Sequence, residues 1–224
     1  MIHQKLRHSY QLSQIGNVDE TPVFFYLPSN RTVGYVGSKT VTIRTTGHDK
    51  THFTAVLTCM ADRTKLLPMV IFKRKTMPKE KFPAGVIIYV HPKGWMDTDG
   101  MLIWLQKVWG RCPDGGIINT KSLVVLDQFR AHLTYKAKQC TARSYNTDIA
   151  VMPGRLTSIL QPLNVSINHL FKCKLCELWS AWMSSGSFER TAAGNPKQPS
   201  LSVINLSTAQ SILNLSKSAL WAMI

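Results

Sequence analysis

Leu123-Val124-Val125-Leu126-Asp127 runs through four apolar residues and stops on an acid. With Ser122 ahead of it, the run predicts a strand buried on both faces that delivers Asp127 at its end. Gln14-Ile15-Gly16-Asn17-Val18-Asp19 repeats the pattern as a first strand ending on Asp19, with Glu20-Thr21 behind it. Leu160-Gln161-Pro162-Leu163-Asn164-Val165-Ser166-Ile167-Asn168 then sets an amide, Asn164, where a third acid would complete a metal site. Two carboxylates held close repel one another unless a cation lies between them. Oxygen ligands of this kind suit a hard divalent ion that keeps some of its waters, Mg²⁺ or Mn²⁺. Asp19 and Asp127 are therefore the candidate metal ligands, and Asp19, Asp127 and Asn164 the candidate catalytic set.

The segments between these residues set the topology. Thr51 to Met60 and Lys65 to Phe72 are apolar, β-branched runs joined by the turn-like Ala61-Asp62-Arg63-Thr64, which reads as an antiparallel hairpin. A short strand is expected at Val41-Thr42-Ile43, and Val86-Ile87-Ile88-Tyr89-Val90 is another β-like piece. Asp97 or Thr98 can cap a helix carrying Leu102, Leu105, Val108 and Trp109 at helical spacing. A second helix is expected around Ala131 to Ala142, followed by a strand at Asp148-Ile149-Ala150-Val151-Met152. From Pro162 to Met183 the positions Leu163, Ile167, Leu170, Phe171, Leu175, Leu178, Trp179 and Trp182 again fall at helical spacing, with Pro162 in the first turn.

This order predicts an α/β domain with a five-stranded mixed sheet flanked by helices. Three antiparallel strands feed two parallel ones through crossover helices, a ribonuclease H-like arrangement. There the first and fourth strands lie side by side, so Asp19 and Asp127 emerge next to each other, and the third ligand comes from the last helix. The domain is expected over 14–183, with a polar N-terminal remnant at 1–13. The Ser-, Gly- and Pro-containing stretch from 184 opens a degenerate tail over 184–224, in which Leu206, Ala209, Leu213 and Leu220 could share one face of a helix.

A family resemblance is carried by several motifs in order. They are Asn17-Val18-Asp19-Glu20-Thr21, Asn30-Arg31-Thr32, Ala61-Asp62 through Leu67-Pro68, Gly94-Trp95-Met96, Leu126-Asp127 with His132, and Thr157-Ser158-Ile159-Leu160-Gln161-Pro162-Leu163-Asn164-Val165-Ser166-Ile167-Asn168. Together they resemble the DDE superfamily transposase and endonuclease domain of the pogo/Tigger/jerky group, over about residues 14–183. The resemblance implies Mg²⁺-dependent cleavage and strand transfer on DNA. It makes Asp19 the first catalytic aspartate and Asp127 the second. Asn164 stands where the group has its third aspartate, and Gln128 stands where it usually has an asparagine. An amide offers a dipole but no negative charge, so catalysis is expected to be impaired. The alternative is a domesticated, non-enzymatic protein that binds DNA or chromatin partners. Either reading implies a nuclear location.

Charge points the same way. Twenty-seven Lys and Arg face twelve Asp and Glu, for a net charge of +15. Such an excess favours a polyanion, because each basic side chain that meets a phosphate releases a condensed counterion. The basic residues group as Lys73-Arg74-Lys75 with Lys79 and Lys81, as Lys136, Lys138 and Arg143, and as Lys172 with Lys174. An anionic membrane finds no basic amphipathic helix to bind, and no apolar run reaches the length of a span. A small-molecule hydrolase fits this charge least. Five cysteines, an odd count, and no signal-like N-terminus predict free thiols in a reducing compartment.

The remaining polar residues have plainer readings. Glu20 is expected to be structural or to stand behind a ligand. Asp62 and Asp148 are expected to be solvated, and His132 to cap or pack. Cys173-Lys174-Leu175-Cys176 has metal-like spacing, with His169 four positions ahead of Cys173, but a zinc site needs a second ligand pair that the sequence does not supply.

Overall fold

The computed structural model describes residues 9–24, 36–37, 52–79, 81–82, 84–112, 120–154, 159, 161–186, 189–190 and 192. The strand expected at Val41-Thr42-Ile43 and the helix expected through Leu206 to Leu220 lie outside these residues.

Among the described residues six strands form one sheet: β1 (Ile15–Phe24), β2 (His52–Met60), β3 (Met69–Lys73), β4 (Ile87–His91), β5 (Ser122–Leu126) and β6 (Thr147–Val151). Their spatial order is β4-β3-β2-β1-β5-β6. β1, β2 and β3 pair antiparallel, while β5 runs parallel to β1 and β6 parallel to β5. The α/β fold and the central β1–β5 pair are as expected, but the sheet has six strands, not five. The extra one is the β-like piece near Val86–Val90, which adds to the edge of β3 in parallel, Met69 opposite Ile87 through Lys73 opposite His91.

Helices cover both faces. On one side, α1 (Thr98–Lys107) and α2 (Tyr135–Ser144) enclose Val18, Val56, Met60, Ile71, Val124 and Leu126. The Asp97 side chain caps α1 by accepting from the Gly100 N–H at 2.8 Å. α2 starts four residues later than its apolar pattern suggests, because Thr134 accepts from the Ala137 N–H and fixes the cap there. Trp104 and Trp109 are fully buried and stacked, and their indole N–H groups reach Thr58 Oγ1 at 3.1 Å and Thr147 Oγ1 at 2.9 Å. On the other side, Leu163 and Ile167 of the turn that leads into the last helix, and Phe171 and Leu175 of that helix, pack onto Phe53, Leu57, Val70 and Phe72 of the sheet. Each such side chain contributes about 1.5–3 kcal/mol when fully buried. That last helix is α3 (Asn168–Ser185), entered through a wide π turn at Leu163–Ile167 and ended by Gly186 in the left-handed conformation.

Candidate metal centre

The register of the two central strands places the acids. The last β1–β5 pair is Asn17 opposite Val125, so Asp19 and Asp127 each lie two residues farther along neighbouring parallel strands. β5 stops just before Asp127. β1 does not stop at Asp19 but runs on, paired with β2, to Phe24 opposite His52. Asp19 is thus an interior residue of its strand, beside the end of its neighbour. A strand with only one partner there accommodates Pro22, which pairs with Thr54 of β2.

The segment Gln161 to Asn168 is clamped onto β1. Gln161 Nε2 donates to Val18 O at 3.2 Å, and the Leu163 N–H donates to Asn17 Oδ1 at 3.3 Å. Asn17 in turn donates through Nδ2 to Val125 O at 3.1 Å, so one buried amide ties β1, β5 and the π turn together. Next along β1, Asn168 Nδ2 donates to Asp19 Oδ2 at 2.6 Å. Asn168 is 4% exposed, whereas Asn164 is exposed. The side chain in contact with the first aspartate is therefore Asn168, one turn beyond Asn164. Its partnership is hidden in sequence because the π turn widens the helix at this point. The motif itself, which ends on Asn168, was the available signal.

His132 joins the other two acids. Its Nε2 is 2.7 Å from Glu20 Oε1, and its Nδ1 is 3.0 Å from Asp127 Oδ1. The second contact is off the N–H axis, an ion pair more than a directed hydrogen bond. The ring is 1% exposed. Burial alone would lower its pKa, but bonding to Asp127 and Glu20 and their charges outweigh burial and raise it to about 10. His132 is hence an imidazolium at neutral pH, more than the capping or packing residue its sequence context suggests. Burial also works against ionised Asp127. The His132 contact and the Phe129 N–H, which donates to Asp127 Oδ1 at 2.9 Å, prevail and hold its pKa below the ordinary value. Asp19 has no such support. Burial raises its pKa from 3.8 to about 6, the charges of Glu20 and Asp127 push the same way, and the Asn168 bond offsets only part of this.

These residues fit a divalent cation. The oxygens come from carboxylates: Glu20 and Asp127 bring ligand atoms within 4.8 Å of one another around His132, which as an imidazolium is their counter-charge and not a ligand, and Asp19 stands outside that cluster but feels the charges of both. Beside Asp19, the Asn168 carbonyl oxygen is buried with no hydrogen-bond partner among the described residues. Cys173 and Cys176 lie apart from this group: Cys173 is exposed, with its Sγ 3.5 Å from His169 Nε2, and all five cysteines are free thiols. Among the described residues no helix is long and apolar enough to cross a membrane.

A mixed sheet with an acid pair emerging from its two central parallel strands, and a last helix laid against that pair, defines the ribonuclease H-like class. Residues 50–220 match the DDE superfamily endonuclease family, and the chain belongs to it. Asp127, Asn164 and Asn168 fall inside the matched segment and Asp19 ahead of it. The human "Pogo transposable element with KRAB domain" is 38% identical over 194 residues, which are 87% of this chain and 32% of the human protein. The mouse protein of the same name is 37% identical with the same coverage. The chain therefore spans about a third of the length of these curated relatives. Among solved structures, the Mos1 strand transfer complex superposes with a TM-score of 0.53, covering 94% of this chain and 50% of that one. At 12% identity this likeness bears on the fold alone.

Proposed function

We propose that this domain binds DNA through its basic surface and holds Mg²⁺ or Mn²⁺ at Asp19 and Asp127, with catalysis impaired. The reading is supported by the parallel register of β1 and β5, which sets Asp19 and Asp127 two residues beyond its last pair, and by the charge of Asp127 acting on Asp19. Divalent ions held there would activate a water or 3′-hydroxyl and stabilise the departing oxygen of a phosphodiester. The chain's own part is to present oxygens and fix their places. Asp127 is kept ionised by His132, and Asp19 is held by Asn168. The third position carries no charge: the resemblance assigns it to Asn164, the contact with Asp19 is made by Asn168, and both are amides.

The same deficit favours the second reading, a non-enzymatic DNA- or chromatin-binding protein in the nucleus. One experiment tests what the two readings share. Supercoiled plasmid is incubated with the chain and with Asp127→Ala in Mn²⁺, and DNA affinity is titrated against salt. Expected are nicking at background in both, and affinity that falls steeply with salt. Robust nicking abolished by Asp127→Ala would overturn the impaired reading. Affinity indifferent to salt, or none at low salt, would overturn the DNA reading.

A further inference from the structure

The geometry points to Asn168 as the residue that completes the cation site of this chain, in place of Asn164. This rests on the reading of Asp19 and Asp127 as metal ligands. Three observations carry it. Asn168 is 4% exposed and in direct contact with Asp19, Nδ2 to Oδ2 at 2.6 Å. Its other polar atom, Oδ1, is buried with no hydrogen-bond partner among the described residues. Asn164 sits within the π turn with its side chain exposed.

A carboxamide can present either of its ends. With Asp19 ionised and no cation beside it, the NH₂ group faces the carboxylate and neutralises part of its charge. A half-turn about χ2 exchanges nitrogen for oxygen with little change of shape. Oδ1 would then stand beside Asp19 Oδ2, two oxygens at about the separation of neighbouring ligands on one octahedral ion with bonds of about 2.0–2.1 Å. Oδ1 thereby acquires the ion as its partner, the Asp19 charge is met by the ion instead of the amide, and the NH₂ group turns to the position Oδ1 held. The π turn is what brings Asn168 there: its N–H bonds Leu163 O, five residues back, and the widened turn seats its side chain against β1.

The test reads Mn²⁺ binding, not cleavage. Free Mn²⁺ is titrated by electron paramagnetic resonance against the parent chain, Asn168→Leu, Asn168→Asp, Asn164→Asp and Asp127→Ala, with a metal-free thermal melt of each. Asn168→Leu is expected to weaken Mn²⁺ binding about tenfold or more, Asn168→Asp to tighten it by at least as much, and Asn164→Asp to leave it within about threefold. If Asn168→Leu fails to fold, the two aspartate variants decide between the positions. Tightening by Asn164→Asp and not by Asn168→Asp, or parental binding by a folded Asn168→Leu, would overturn the assignment. Binding that disappears in Asp127→Ala but ignores position 168 defeats only this inference. Absence of binding in every chain, or binding indifferent to Asp127→Ala, defeats the metal reading and this inference with it.

Discussion

Asp19 is a carboxylate that the metal-free fold holds at a disadvantage. Its pKa of about 6, against 3.8 when unperturbed, means the native state binds a proton there more tightly than the unfolded chain does. The associated stability is fully present below pH 3.8 and is lost as pH rises through about 6. A shift of this size corresponds to roughly 3 kcal/mol. Asp19→Asn should therefore be more stable than the parent by up to about 3 kcal/mol at pH 7.5 in EDTA, with the gap closing below pH 4. Urea melts at the two pH values check this, and a parent as stable as the variant at pH 7.5 would refute it. His132 shows the opposite dependence on partners. His132→Phe keeps a ring but strands Glu20 and Asp127 together, and should destabilise the chain at pH 7 by about 3–5 kcal/mol, the scale for breaking a buried pair. Both aspartates were legible in sequence because each closes an apolar run. The imidazolium was not, since His132 meets Glu20 across 112 residues of chain and only the fold joins them.

β1 organises the site more than any other element, and its sequence shows why its true length escaped notice. Asp19, Glu20 and Pro22 look like the end of a strand, yet the backbone ladder to β2 carries β1 through to Phe24. Where β5 ends, the open side of β1 tolerates residues that a fully enclosed strand would reject. The opposite constraint operates at Gly16. A Cβ there would lie 2.5 Å from Trp109 Cζ3 and 2.8 Å from Cη2, both on a buried ring that is stacked on Trp104 and bonded to Thr147. Gly16→Ala should destabilise by about 1–3 kcal/mol, as overpacking does, and thermal melts measure it. A neutral result would mean that the Trp104–Trp109 stack can shift. β4, the strand beyond the five expected, has a similar lesson: its apolar run was visible, but nothing in the run told which edge it would join.

At the scale of the whole molecule, charge and layering dominate. Lys73, Arg74 and Lys75 stand exposed where β3 ends, whereas Lys136 is 3.6 Å from Asp99 and Lys174 is 2.7 Å from Glu177. The first group is thus the freest to meet phosphate. Replacing all three by Ala should lower the slope of log affinity against log salt by about 2–3, near 0.9 per lost contact on duplex DNA, while the melting temperature stays close to that of the parent. An unchanged slope would place the DNA elsewhere. The layering has a consequence for how the chain is made. β6 ends at Val151, so all six described strands leave the ribosome before Leu163, Ile167, Phe171 and Leu175, which cover one face of the sheet. Until they emerge, Phe53, Leu57, Val70 and Phe72 form a bare apolar surface of the kind that chaperones hold and that aggregates in their absence. The stretch that closes this face also brings Asn168 to Asp19, so a nascent chain halted near residue 155 would be both a chaperone client and a protein whose Asp19 lacks its amide partner.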